Sequence, residues 1–353
     1  MENSVKEQLL ERNRKIIQIV IERVKRDCPD AVALIGVCGS FYTGEFYEKS
    51  DLDLLIVIND KKAWEIASCF ILDDIGYDIY CSSWESLEKM ASYDHPLVSH
   101  VVDVDLVYCA AEKYRERFER LKQQALAVLQ APLTKEIYDK TEPQLQNAML
   151  KYAKLMLTDD LSLCRYYAAN ILDGVKNVIC LLNHSYFKYG VKDHLREILQ
   201  METVPNDFEK NVTHLIHARS MQEIKTAATH IMKSVKQLHV EAGKPFAEKS
   251  PIPTSDALTG TYEEIYSNWR NKVHFAVKNN DVHLSLMTAM ACQQFYDEMH
   301  EEYGTVKINL LKAFDPRDLE GFAAAFDRMM ERYRNEYVKL RKACKTLHVV
   351  EGL

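Results

Sequence analysis

Residues 35–57 read I-G-V-C-G-S-F-Y-T-G-E-F-Y-E-K-S-D-L-D-L-L-I-V, and the fold turns on how this stretch is built. Its left end closes an apolar run from Ala31 to Cys38, rich in Val and Ile and too short for a helix, so it reads as a buried strand. Its right end opens a second strand, Asp51 to Ile58, in which Asp51 and Asp53 project from one face and Leu52, Leu54, Ile56 and Ile58 from the other. Between the strands Gly36, Gly39 and Gly44 fall close together, in a chain with only 11 glycines. Gly39 has no Cβ to hold the backbone away from an anion, Ser40 adds a hydroxyl donor, and N–H groups at a helix start point the same way. The turn suits a phosphate.

Two acids side by side on an otherwise apolar strand repel each other and resist desolvation unless cations lie between them. Mg²⁺ is the expected occupant, because it takes carboxylates together with substrate phosphates. A third acid, Asp78, falls in the next strand, Gly76 to Cys81, among apolar neighbours expected to bury it.

Outward from this stretch, Ser4 with Glu7 reads as a capping box for an amphipathic helix to about Arg26, stopped by Pro29. Asp60 is expected to cap a helix from Lys61 to about Leu72, and Ser82 with Glu85 another that ends before Pro96. Val101 to Tyr108 reads as a fourth strand. Strand signals then stop. Thr141 with Gln144 is expected to open a long helix through Leu157, followed by helices over Leu161–Phe187, from Asn206 and from Ser220. Gly243–Pro253 reads as a linker, and Tyr262–Val277, Val282–Tyr303 and Phe322–Lys345 as further helices. The expectation is an α+β chain with an α/β region over 1–125, a helical bundle over 126–245, and a C-terminal helical region over 256–353.

The whole-chain arithmetic agrees with an enzyme-sized globular protein. The 353 residues are 47% hydrophobic and 27% charged, within the ordinary range and large enough for a core without metals or disulfides. No run of about 18 apolar residues exists to span a membrane, and the charged first residues lack a secretory h-region, so the expected address is the cytoplasm. A net charge of −7 argues against a nucleic-acid partner, which calls for a basic surface. The nine cysteines are scattered without a C-x-x-C pair and read as reduced, mostly buried thiols.

The pattern G-S, ten residues, then D-L-D, after one strand and before an acid in a later one, resembles the DNA polymerase β-like nucleotidyltransferase superfamily. Ala33 to about Gln124, about a quarter of the chain, is most similar to the antibiotic nucleotidyltransferases typified by kanamycin nucleotidyltransferase. It shares I-G-V-C-G-S, S-D-L-D, Y-D-I-Y, the S-W-E-S-L helix and a His-Pro-Leu loop with them. The resemblance implies that Gly39 and Ser40 bind the phosphates of a nucleoside triphosphate, ATP being expected. It implies that Asp51 and Asp53 bridge two Mg²⁺ ions, that Asp78 completes the catalytic metal site or acts as a base, and that a small-molecule hydroxyl receives the nucleoside monophosphate. The chain departs from the family where a base glutamate and a phosphate-binding lysine are expected on the first helix of the second domain. Lys151, in L-K-Y-A-K-L, stands in place of the acid. Glu142, Asp160 and Asp173 are the acids near enough to replace it, and Lys151, Lys154, Arg165 and Lys176 are basic candidates for the triphosphate.

Other patterns have more ordinary readings. His214 and His217 lack the further ligands of a metal site, and the aromatics Tyr166, Tyr167, Tyr186, Phe187 and Tyr189 read as core in preference to a stacking platform. Arg270–His274 is one residue short of the HEPN ribonuclease spacing. The alternatives to small-molecule modification are modification of a protein or an RNA end, as in antitoxin-like relatives, and a non-catalytic nucleotide sensor.

Overall fold

The computed structural model describes residues 3–247 and 258–343. The chain divides into two compact units, Met1–Phe246 and Ala247–Leu353, and the architecture is α+β.

Unit one begins with helix α1 (Asn3–Asp27), followed by strand β1 (Val32–Val37), the short helix α2 (Gly39–Thr43) and β2 (Leu54–Ile58). A 3₁₀ turn (Lys61–Ile66) leads to β3 (Ser68–Leu72), β4 (Ile75–Ile79) and β5 (Cys81–Ser83). Helices α3 (Trp84–Ala91) and α4 (Ser99–Val102), strand β6 (Asp105–Cys109) and helix α5 (Glu112–Gln130) complete the α+β half. The main sheet has the order β5-β2-β1-β6, with β1 antiparallel to both neighbours and β2 parallel to β5. The apolar run V-A-L-I-G-V takes the interior position because both of its faces are covered. Val32, Ile35 and Ile56 pack with Leu9, Ile16 and Val24 of α1. Ala33, Leu34, Leu55 and Val57 pack with Leu87 of α3 and Phe118 of α5.

Several local expectations need correction. The helix expected over Lys61–Leu72 is one 3₁₀ turn and then β3, because Cys69–Leu72 supply β-formers that pair across Asp73-Asp74, both at positive φ, with β4. β2 starts at Leu54, so Asp51 and Asp53 lie in an extended lead-in. The α3 cap is Ser83, whose side chain accepts from the Ser86 N–H. Val101–Tyr108 is a turn of helix and then β6.

The helical half holds α6 (Lys135–Leu157), α7 (Leu161–Leu182), α8 (His194–Leu199), α9 (Phe208–His217) and α10 (Met221–Gly243). α6 starts two turns earlier than expected: Thr134 caps it, and Thr141 is a buried mid-helix residue whose hydroxyl meets His239 Nε2 at 2.8 Å. Ser220 and Glu223 form the expected capping box on α10. Leu145, Ala148, Ile171, Val175, Ile231 and Val235 form the core between α6, α7 and α10. Among the described residues no helix is long and apolar enough to cross a membrane.

Unit two contains α11 (Thr261–Glu264), a π-helical turn (Ile265–Arg270), α12 (Asn271–Lys278), α13 (Val282–Tyr303) and α14 (Leu319–Ala343). Tyr296, Phe322, Phe326 and Tyr333 fill its core. The expected linker lies partly outside the described residues, as does Lys345.

Candidate active site

The G-S turn and the D-L-D lead-in are locked together. The Cys38 N–H donates to the Asp53 carbonyl at 3.1 Å, and the buried Cys38 thiol points at the same oxygen at 3.6 Å. Burial, and then the Asp53 charge, push that thiol up to about 12. The next residue, Gly39, has φ +64° and begins α2; a Cβ there would lie 1.9 Å from Asp53 Oδ2. Glycine is therefore required twice, by backbone conformation and by contact with a carboxylate. The close approach that the missing Cβ permits here is to the protein's own Asp53.

Asp53 is half-buried, and burial raises its carboxyl from 3.8 to about 6, helped by Asp51 and opposed by the Ser40 backbone N–H. Asp51 is half-buried as well. Among the described residues no Lys, Arg or His forms an ion pair with either acid. A pair of partly desolvated, mutually repelling carboxylates without a cation is chemically suited to a divalent ion.

Asp78 sits differently from its expectation. In β4 the buried residues are Ile75, Tyr77 and Ile79, and Asp78 alternates with them onto the exposed face. It faces Cys69 across the β3–β4 ladder, and the thiol donates to Asp78 Oδ1 at 3.1 Å. Strand β5 pairs in parallel with β2 and sets Cys81, three residues beyond Asp78, beside Ile56. The Tyr80 phenol, pushed up to about 12 first by burial, feels the charges of Cys38, Asp53 and Asp78 together. Among the described residues, however, no three His, Cys, Asp or Glu side chains are gathered closely enough to hold a metal ion. The Asp51–Asp53 pair by itself offers carboxylate oxygens of the kind a divalent ion takes. Asp78 would have to leave Cys69 to join it.

The helical-half candidates are scattered. Lys154 is exposed in the last turn of α6, Lys151 is half-buried and Arg165 is exposed. Lys176 is engaged by Asp173 Oδ1 at 2.7 Å and by His194 Nδ1 at 3.1 Å. Of the possible replacement acids, Asp160 caps α7 through the Leu163 N–H, Glu142 lies 3.7 Å from His239, and Asp173 holds Lys176. His214 and His217 border a groove with His230. Phe187 is buried and stacks on His194, whereas Tyr166 is exposed and stands edge-on to Tyr167. In unit two, Arg270 and His274 converge on Asp327 at 3.0 Å each.

Sequence reasoning missed the contacts that join the two halves of unit one. Asp103, 6% exposed, faces Tyr186, which favours its charged form, and Tyr186 is within electrostatic reach of Tyr42 in α2. Lys192 Nζ donates to the Glu45 carbonyl at 3.1 Å, just beyond α2. These are single polar residues in loops, without periodicity to betray them.

Residues 14–131 match the nucleotidyltransferase domain family, and residues 115–244 match the KNTase C-terminal domain family. Together the matches run without a gap from α1 to α10. The chain belongs to the DNA polymerase β-like nucleotidyltransferase superfamily. Within it, the helical half is of the kanamycin nucleotidyltransferase kind. A nucleotidyltransferase-like protein from Exiguobacterium sibiricum is 12% identical, with 73% of this chain and 89% of that one covered at a TM-score of 0.34. No curated protein matches the sequence.

Proposed function

We propose that this protein is a Mg²⁺-dependent nucleotidyltransferase that moves AMP from ATP to a hydroxyl of a small molecule. The observation that carries the reading is the Asp51–Asp53 pair, half-buried and without a cationic partner, interlocked with the Gly39–Ser40 turn. Asp51 and Asp53 would hold the divalent ion, and Asp78 would join them on release from Cys69. When bound, the metal neutralises charge on the triphosphate and on the departing pyrophosphate. The Ser40 hydroxyl would hold a phosphate oxygen while its backbone N–H stays with Asp53, and Cys38 and Gly39 keep Asp53 at one fixed distance from that turn. The acceptor oxygen bonds to the α-phosphorus as the bond to the β-phosphate bridging oxygen breaks. Pyrophosphate leaves, and the hydroxyl proton passes to a carboxylate, Asp78 being the exposed one.

The test is Mg²⁺ with labelled ATP and a panel of hydroxyl acceptors, read as pyrophosphate release and adduct mass. Asp51→Ala should lower the rate by at least 10³-fold, on the order expected when charge stabilisation at the reacting phosphate is lost. A rate unchanged in Asp51→Ala would contradict the assignment.

A further inference from the structure

Helices α7, α8 and α9 line an open pocket of about 300 Å³, near the lower end for small-molecule sites. Its walls are apolar, with Leu172, Ile198, Phe208 and Val212 among them. At its rim Val191 and Ile216 are 79% and 63% exposed, apolar surface that a ligand would cover. One corner is polar: Asp173, Lys176 and His194. An ammonium can only donate, so the 3.1 Å contact makes His194 Nδ1 the acceptor and the ring a neutral imidazole. Burial, and then Lys176, also lower the affinity of that ring for a second proton.

This corner selects a class of ligand. Asp173 and Lys176 neutralise each other, and His194 is uncharged, so the cavity has no surplus charge for a polycation or a polyanion. It does offer an acceptor in Asp173 Oδ2 and an ammonium donor beside it. The loop over the cavity is tied to the G-S turn's end of the α+β half: Val191 precedes Lys192, which is bonded to Glu45 just after α2.

We propose that the α7–α8–α9 cavity binds the acceptor, a neutral small molecule with an apolar body and a hydroxyl-bearing polar end placed against Asp173 and Lys176. The proposal rests on the nucleotidyl-transfer reading for the word acceptor, but not for the binding site. It also departs from the polycationic aminoglycosides that the family resemblance would imply.

The experiment separates the two. Full-length protein is titrated with the neutral, environment-sensitive dye prodan, and the dye is displaced with 3-phenylpropan-1-ol. Ala169 lines the cavity from an exposed position on α7, so Ala169→Trp fills the space without disturbing the core. Binding of both probes should weaken at least tenfold in Ala169→Trp and several-fold in Ile216→Ser, with thermal unfolding checking that both variants fold. Absence of dye binding to the wild type, or binding that both variants leave intact, overturns the site whatever ATP does. The transfer assay then compares 3-phenylpropan-1-ol with an aminoglycoside. AMP transfer to the alcohol, lost in Ala169→Trp, supports the acceptor role. Transfer to the aminoglycoside that Ala169→Trp does not alter overturns that role while nucleotidyl transfer stands. No transfer to any acceptor removes the nucleotidyl-transfer reading and the acceptor role with it, leaving the probe result to decide the cavity alone.

Discussion

Replacing Asp53 by Asn should make the metal-free protein more stable at neutral pH while abolishing transfer. Burial and Asp51 raise this carboxyl from 3.8 to about 6. A group whose folded pKa lies above its unfolded one favours folding while protonated, and that contribution is lost as the pH climbs from about 4 through about 6. At about 1.4 kcal/mol for each pH unit between the two values, the charge costs the folded state on the order of 3 kcal/mol at neutral pH. Asn has nearly the same shape and can still accept the Ser40 N–H through its amide oxygen, so most of that cost should disappear with the charge. Urea unfolding in EDTA should show the variant about 2–3 kcal/mol more stable near neutral pH, and about equal to wild type near pH 4. Adding Mg²⁺ should stabilise the wild type and leave the variant unmoved, since only a site that binds the ion gains by mass action. A variant that is less stable at neutral pH, or one that gains equally at both pH values, would refute the reasoning.

Two further perturbations follow from the same geometry. Gly39→Ala would place a methyl 1.9 Å from Asp53 Oδ2 in a backbone of φ +64°. The left-handed conformation should cost about 1–2 kcal/mol in urea unfolding, and a carboxylate displaced by about an ångström should lower kcat on the order of 10²-fold; wild-type pyrophosphate release in this variant would refute the interlock. Tyr186→Phe removes the hydroxyl that favours the charged form of Asp103, a buried acid whose Oδ2 lacks a hydrogen-bond partner among the described residues. Losing that support for the carboxylate should cost about 1–3 kcal/mol, and because the hydroxyl favours the charged form, the loss should shrink as the pH falls and the acid takes up its proton; a loss that does not vary with pH would refute it.

What the sequence disclosed depended on how much of the physics was local. β1 was legible because V-A-L-I-G-V is apolar on both faces, and α10 because Ser220 and Glu223 carry their own cap. The Lys61–Leu72 segment was misread because a capping Asp60 is a local signal, whereas the β3–β4 pairing that overrides it is a tertiary one. Burial of Asp78 was inferred from apolar neighbours, but alternation along β4 puts those neighbours and the acid on opposite faces. Gly39 and Asp53 were both singled out from spacing alone. Their contact with each other could not be, since it depends on a left-handed backbone angle and on how the turn folds over the lead-in to β2.

The helical half shows why proton transfer should be sought in the α+β half. Each of the three acids that the sequence offers as a helical base is already engaged elsewhere. Asp160 closes the start of α7, Glu142 faces His239, and Asp173 holds Lys176. Recruiting any of them would first break an interaction the fold already uses. Asp78, by contrast, is exposed and tied only to a thiol, itself a weak donor. On the proposed reading, the carboxylates around the G-S turn are therefore the groups left to take on both charge and proton.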